Sequence, residues 1–139
     1  MKKLITLLAA AIMLPALASD FPAGSPKFGT NYETALATAK KEGKPIILVF
    51  SATWCPPCQS MKKSVYPSAE VKPLHDQFVW AYLDVDDAEN AKAATKFGVE
   101  GIPHVQFLSS EGKNIDKVVG GVPPADFAAT LNKVLNKAK

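Results

Sequence analysis

Cys55 and Cys58 are the only two cysteines in this 139-residue chain, and Pro56 and Pro57 are all that separates them. Thiols at that spacing can close a small disulfide ring and reopen it, or share a metal ion between two sulfurs. The flanking residues bear on the choice. An apolar run, Ile46-Ile47-Leu48-Val49-Phe50, comes just before the pair, and a lysine-bearing stretch with helical periodicity comes just after. This reads as a strand, a tight turn and a helix beginning at the first thiol. Cys55 then lies where unpaired backbone N–H groups and the helix dipole favour a thiolate. A structural staple would join distant segments and remove more chain entropy than so small a ring. The pair itself therefore favours redox chemistry.

Other residues able to do chemistry are few. A zinc site would need His75 and His104 as well, and these lie 29 positions apart rather than at a paired-ligand spacing. A Cu(I) site built from the two thiolates with Met61 or His104 suits soft ligands. A copper-binding metallochaperone is thus the alternative from a different functional class. Asp84, Asp86, Asp87 and Glu89 cluster without the spacing of a calcium loop and read as a solvated strand end. No metal site is expected among them. Trp54, a bulky ring beside the first thiol, reads as a docking surface, and Pro56-Pro57 stiffens the ring between the thiols. His104 follows Pro103, where strand alternation turns it away from the thiols. His75 reads as a surface residue.

Elements able to position this motif follow from the hydrophobic pattern. Asn31 to Glu42 places Tyr32, Leu36 and Ala39 on one face and stops at Gly43, as a helix does. Ile46 to Phe50, apolar throughout, is expected as a central strand covered on both faces. The helix from Cys55 runs through Met61 and Val65 and breaks at Pro67. A short amphipathic segment spans Val71 to Gln77, a strand Phe78 to Leu83, and a helix Glu89 to Phe97, closed by Gly98. His104 to Leu108 and Ile115 to Val119 form a hairpin about Ser109-Ser110-Glu111-Gly112. After Gly120-Gly121, Pro124 opens a last helix with Phe127, Leu131, Val134 and Leu135 as its apolar stripe. Strands separated by helices and followed by a hairpin predict an α/β fold with a central mixed sheet flanked by helices.

The chain begins with a different kind of segment. Met1-Lys2-Lys3 is basic, Leu4 to Leu14 is an apolar run interrupted by Thr6, and Ala16-Leu17-Ala18 supplies a small-x-small end. This predicts a signal peptide over 1–18, cleaved before Ser19. The run falls short of the roughly 20 residues of a bilayer span, so no stable membrane insertion is expected after cleavage. No cysteine follows it, which argues against lipoprotein processing. The expected location is periplasmic or secreted, where paired cysteines form disulfides. Removing 18 of the 139 residues, with two of the 16 basic side chains, leaves 121 residues and 14 lysines against 13 acidic groups, a net charge of +1. Nearly neutral and without arginine, that surface argues against nucleic acid. Ser19 to Gly29, rich in Pro, Gly and Ser, reads as a flexible leader, and residues 30–139 as one domain.

The order of elements, Trp54-Cys55-Pro56-Pro57-Cys58, the Gly101-Ile102-Pro103 step and the Gly120-Gly121 turn together resemble the thioredoxin superfamily. The likeness covers roughly Thr30 to Lys137. Glu42-Gly43-Lys44-Pro45, the segment Val65 to Val71 and Val122-Pro123-Pro124 are most similar to the exported thioredoxin-like proteins and the periplasmic C-terminal domain of the electron carrier DsbD. The resemblance implies a thioredoxin-like fold, Cys55 as an exposed nucleophile and Cys58 as the buried resolving thiol. It also implies a cis Ile102–Pro103 bond against the disulfide. Trp54, Ile102 and Pro103 would bind substrate, with the backbone before the proline pairing with the substrate chain. Many family members carry a buried Asp five residues before the Trp. Val49 stands there, with Tyr82 nearest to the lysine often found opposite, so the proton of Cys58 must leave through water or another group.

The expected function is thiol–disulfide exchange without a cofactor, acting as a reductase on exported protein substrates and recharged by a membrane thiol carrier. The absence of a large inserted domain or dimerisation module favours that direction. An oxidase or isomerase would use the same residues.

Overall fold

A computed structural model describes residues 20–139; the expected signal peptide over 1–18 and its cleavage at Ser19 lie outside the described residues. Nine strands and helices build the domain, in the order β1 (Phe28–Gly29), α1 (Tyr32–Glu42), β2 (Ile46–Ser51), α2 (Pro56–Ser64), β3 (Val79–Asp84), α3 (Ala88–Lys96), β4 (His104–Leu108), β5 (Asn114–Val119) and α4 (Pro124–Lys137). A 3₁₀ helix, Lys72–Gln77, occupies the expected amphipathic segment. The strands form one sheet in the order β1-β3-β2-β4-β5. β1, β3 and β2 run parallel, and β4 and β5 join them antiparallel. This is the mixed sheet expected from the sequence.

β2 explains why the sheet has two covered faces. All six of its residues are buried, and alternation sends them to opposite sides. Ile47 and Val49 enter a core with Met61 of α2, Val65 just past its end, and Phe127, Leu131 and Val134 of α4. Ile46, Leu48 and Phe50 enter a second core with Tyr32, Ala35 and Ala39 of α1 and Ala93 of α3. Each large aliphatic chain buried this way contributes on the order of 1.5–3 kcal/mol.

Local chemistry sets the helix ends. Asn31 caps α1 by accepting the Thr34 N–H at 2.9 Å, and Asp87 caps α3 through Glu89 and Asn90. The β4–β5 turn closes on Gly112, whose φ of +85° is ready for glycine and strained for other residues.

The structure differs from the expected flexible leader in one respect. Phe28 and Gly29 pair with Trp80 and Ala81 as a fifth strand, and Phe21 stacks on Phe28 at a ring separation of 4.6 Å. Two aromatic anchors amid Pro, Gly and Ser draw the segment onto the sheet. A strand of two residues is too short for its periodicity to show in the sequence.

Candidate active site

Cys55 caps the N-terminus of α2 with extended backbone, and Pro56 and Pro57 occupy the first two helical positions. Neither proline has an N–H, so of the first three helical residues only Cys58 offers an amide proton. The prolines rigidify the turn while thinning the donors that the sequence argument assigned to it. Cys55 and Cys58 are joined as a disulfide with Cα atoms 5.3 Å apart.

Packing around the pair is apolar. The cysteines contact Ala52 from the end of β2, with Val85 and Ile102 against them. Gln59 Nε2 donates to the Ala52 carbonyl at 2.9 Å, holding the first turn of α2 over the strand end. The Ile102–Pro103 bond is cis, and the Ile102 carbonyl oxygen lies 3.8 Å from Cys55 Sγ. The Pro103 carbonyl accepts the Gly120 N–H at 2.8 Å, so the turn after β5 is stitched to the proline loop. From α2, Met61 Sδ accepts the Val122 N–H at 3.3 Å and fastens the far side of that turn.

The expectation of an exposed Cys55 needs correction. Cys55 is 4 % exposed and Cys58 1 %, whereas the adjacent Trp54 is 64 % exposed. Trp54 is accordingly a surface residue, as a docking role requires. Its indole N–H donates to Asp86 Oδ2 at 2.9 Å, so one member of the acidic cluster aligns the ring. Sequence reasoning missed Asp86, because a contact across 32 positions leaves no local signal. The rest of that cluster does end the strand: Asp84 accepts the Asp86 N–H and Asp87 caps α3.

Both histidines are placed away from the sulfurs. His104 is buried on the α1/α3 face, with Nε2 2.8 Å from Gln106 Oε1 and its ring edge-on to Phe50. His75, expected at the surface, is half-buried: its Nε2–H donates to the Tyr66 carbonyl at 2.6 Å, and its own carbonyl accepts the Trp80 indole N–H. The extra copper ligands considered from sequence, Met61 and His104, are thus engaged elsewhere. Among the described residues no group of three or more His, Cys, Asp or Glu side chains is arranged to hold a metal.

The position of the missing buried acid is also visible. Val49 is buried and pairs with Tyr82 in register, and Tyr82 Oη lies 2.6 Å from Ser51 Oγ. Burial pushes the Tyr82 hydroxyl above its ordinary pKa, the Ser51 hydrogen bond opposes that shift and Asp84 adds to it. Deeper in, Tyr66 is raised more strongly, by burial first and then by Tyr82. Among the described residues its hydroxyl has no hydrogen-bond partner.

A sheet of this order, with a disulfide at a helix start facing a cis-proline loop, places the chain in the thioredoxin-like family. Residues 32–135 match the family description "Thioredoxin-like domain", and the chain belongs to that family. Among relatives, it is 37% identical over 98 residues to the chloroplastic thioredoxin-like protein HCF164 of rice, a match covering 70% of this chain and 35% of that one. It is 29% identical over 109 residues to the thiol:disulfide interchange protein DsbD of Pseudoalteromonas atlantica, covering 76% of this chain and 18% of the relative. The chain thus spans about a third or less of these proteins. Among solved structures, a thioredoxin from Thermus thermophilus superposes with a TM-score of 0.71 at 30% identity, over 78% of this chain and 87% of that one. The oxidised C-terminal domain of Neisseria meningitidis DsbD gives 0.64 at 28% identity, over 73% and 90%.

Proposed function

We propose that this chain is an exported thiol–disulfide oxidoreductase that reduces protein disulfides through the Cys55–Cys58 couple. The observation that carries the reading is the Cys55–Cys58 disulfide at the start of α2, with Cys55 Sγ beside the Ile102 carbonyl and next in sequence to the exposed Trp54. In the reduced protein, the Cys55 thiolate attacks one sulfur of a substrate disulfide. That bond breaks, a Cys55–substrate disulfide forms, and the departing substrate thiolate takes a proton. Cys58, deprotonated, then attacks Cys55 Sγ and releases the second substrate thiol. Two electrons have passed from the dithiol to the substrate, leaving the disulfide seen here. No cofactor is required.

Trp54 and the backbone at Ile102 would receive an extended substrate segment on either side of the sulfur, with Pro103 shaping the loop, as strand addition does. The basic, apolar and small-residue pattern of residues 1–18 supports export to the periplasm or beyond. The name of the DsbD relative supports interchange chemistry, and the electron donor proposed for this chain is a membrane thiol carrier. Met61 and His104 are held by other partners, which weighs against the copper alternative.

Trapping tests the reading. Cys58→Ser should accumulate covalent complexes with exported partners on non-reducing gels, because Cys55 can attack but nothing clears the intermediate. Cys55→Ser, with a nearly inaccessible remaining thiol, should trap far less. No complexes from Cys58→Ser, with tight Cu(I) uptake by the reduced wild type, would replace exchange with metal carriage. Equilibration with glutathione then reads the direction. A reductase should lie near the thioredoxin value of about −270 mV, and an oxidase nearer the DsbA value of about −120 mV.

A further inference from the structure

We propose that Ser51 and Tyr82 form the hydroxyl pair through which the proton of Cys58 leaves the protein interior as that thiol resolves a mixed disulfide. The inference rests on the exchange reaction proposed above and concerns one step in it. Only the thiolate of Cys58 attacks, and Cys58 is 1 % exposed. The proton must therefore leave along a path inside the fold.

Candidates can be counted. Among the described residues, the buried candidates are Ser51, Asn90, His104, Gln106 and the hydroxyl of Tyr66, and the last has no hydrogen-bonded neighbour to which it could pass a proton. His104 and Gln106 bond to each other on the α1/α3 face. The Asn90 amide is committed to the Asp84 carbonyl at 3.1 Å. Ser51 is left. It lies two residues beyond Val49, so it shares the α2 face of the sheet. Its neighbour Ala52 packs with both cysteines, and the Gln59 bond to Ala52 keeps the Cys58 turn over that strand end.

The pair also leads somewhere. Tyr82 rises from the register position beside Val49 to place its hydroxyl 2.6 Å from Ser51 Oγ, where either atom can donate. Tyr82 is half-buried, and its ring borders Lys62, 5.6 Å from the ring centroid, and Phe21, at 5.1 Å between centroids. With its pKa raised, Tyr82 is a neutral hydroxyl at physiological pH, able to accept a proton on one side and release one on the other.

The step balances. As the Cys58 S–H bond breaks, Ser51 Oγ takes that proton and passes its own to Tyr82, which releases its phenolic proton to solvent. The sulfur electron pair forms the bond to Cys55 Sγ, the Cys55–substrate bond breaks, and the leaving substrate thiolate picks up one proton from solvent. Tyr82 acts through Ser51 and is a positioning residue.

Rapid mixing of the reduced protein with a fluorescent disulfide peptide separates formation of the mixed disulfide from its resolution. Measured from about pH 5 to about pH 10, across the ordinary range of thiol ionisation, Tyr82→Phe and Ser51→Ala should leave formation unchanged. Near neutrality they should slow resolution about tenfold, a modest share of the about 10²–10⁴ that positioned acid–base groups supply. The deficit should vanish at alkaline pH, where Cys58 is already ionised before the intermediate resolves, and Ser51→Thr should restore the rate. Resolution unchanged in both variants, or slowed equally at every pH, overturns the relay. Should Ser51→Ala not fold, Tyr82→Phe decides alone, since it removes one oxygen from a half-buried ring. A wild type that forms no mixed disulfide at all removes the exchange reading, whereas a wild type that exchanges normally beside silent variants removes only the relay.

Discussion

Tyr66→Phe removes one oxygen from a place where that oxygen has no partner. Tyr66 is 1 % exposed, and its hydroxyl makes no hydrogen bond among the described residues. Its ring is held by Phe28 at 5.8 Å, Phe127 at 5.5 Å and Trp80 at 6.1 Å between centroids. Phenylalanine keeps all three contacts. A buried polar group without a partner costs about 1–3 kcal/mol, so the variant should gain about 1 kcal/mol at neutral pH after local relaxation. For a domain of this size that raises Tm by about 4 °C. The hydroxyl adds a second signature at high pH. Tyr66 in the folded chain ionises well above its unfolded value of 10.0. Above that pH the native state holds a proton that the unfolded chain has lost, so stability falls as pH rises. One unit above the unfolded value, this one group removes about 1.4 kcal/mol. The advantage of Tyr66→Phe should therefore grow from about 1 kcal/mol near pH 7 to somewhat over 2 kcal/mol near pH 11. Urea unfolding of the oxidised protein at both pH values measures it. A variant less stable at neutral pH, or an advantage that does not change with pH, would refute the reasoning. Disulfide exchange should be unaffected.

Three further outcomes are expected. Gly112→Ala should lose about 1–3 kcal/mol in thermal unfolding, from the positive φ and from a Cβ placed 2.9 Å from Leu36 Cδ1; an unchanged Tm would show that Leu36 and the turn yield freely. Asp86→Ala frees the Trp54 indole, so KM for protein disulfides should rise severalfold while reaction with a small aromatic disulfide stays constant; equal losses for both would move Asp86 from docking to the chemistry. Mass spectrometry of protein recovered after export should begin at Ser19, and a retained Met1 would make the first segment an anchor.

The order of the main elements was legible because each carries its own signal. Asn31 and Gly43 bracket α1, the apolar run marks β2, Met61 and Val65 mark the helix after Cys55, and Gly120-Gly121 precedes α4. The boundaries moved by a residue or so, as at β3, which begins at Val79 rather than Phe78. The thiol pair and the Ile102–Pro103 loop stood out for the same reason: short motifs are contiguous in the chain. β1 did not, since two residues show no period and Phe28 finds its place only against Trp80.

The available chemistry was already written in the chain: two thiols, their spacing, their place at a helix start and the absence of a carboxylate at position 49. Tertiary structure decided what surrounds them. The indole of Trp54 meets Asp86 from 32 positions away, Met61 captures the Val122 amide across 61, and Ser51 reaches Tyr82 across 31. Burial of Cys55 to 4 % exposure is likewise a sum over Ala52, Val85 and Ile102, which come from separate parts of the chain. The physical reason is common to all of these. Hydrogen bonds and burial depend on distance in space, and only packing of the helices onto the sheet brings such residues within reach of one another.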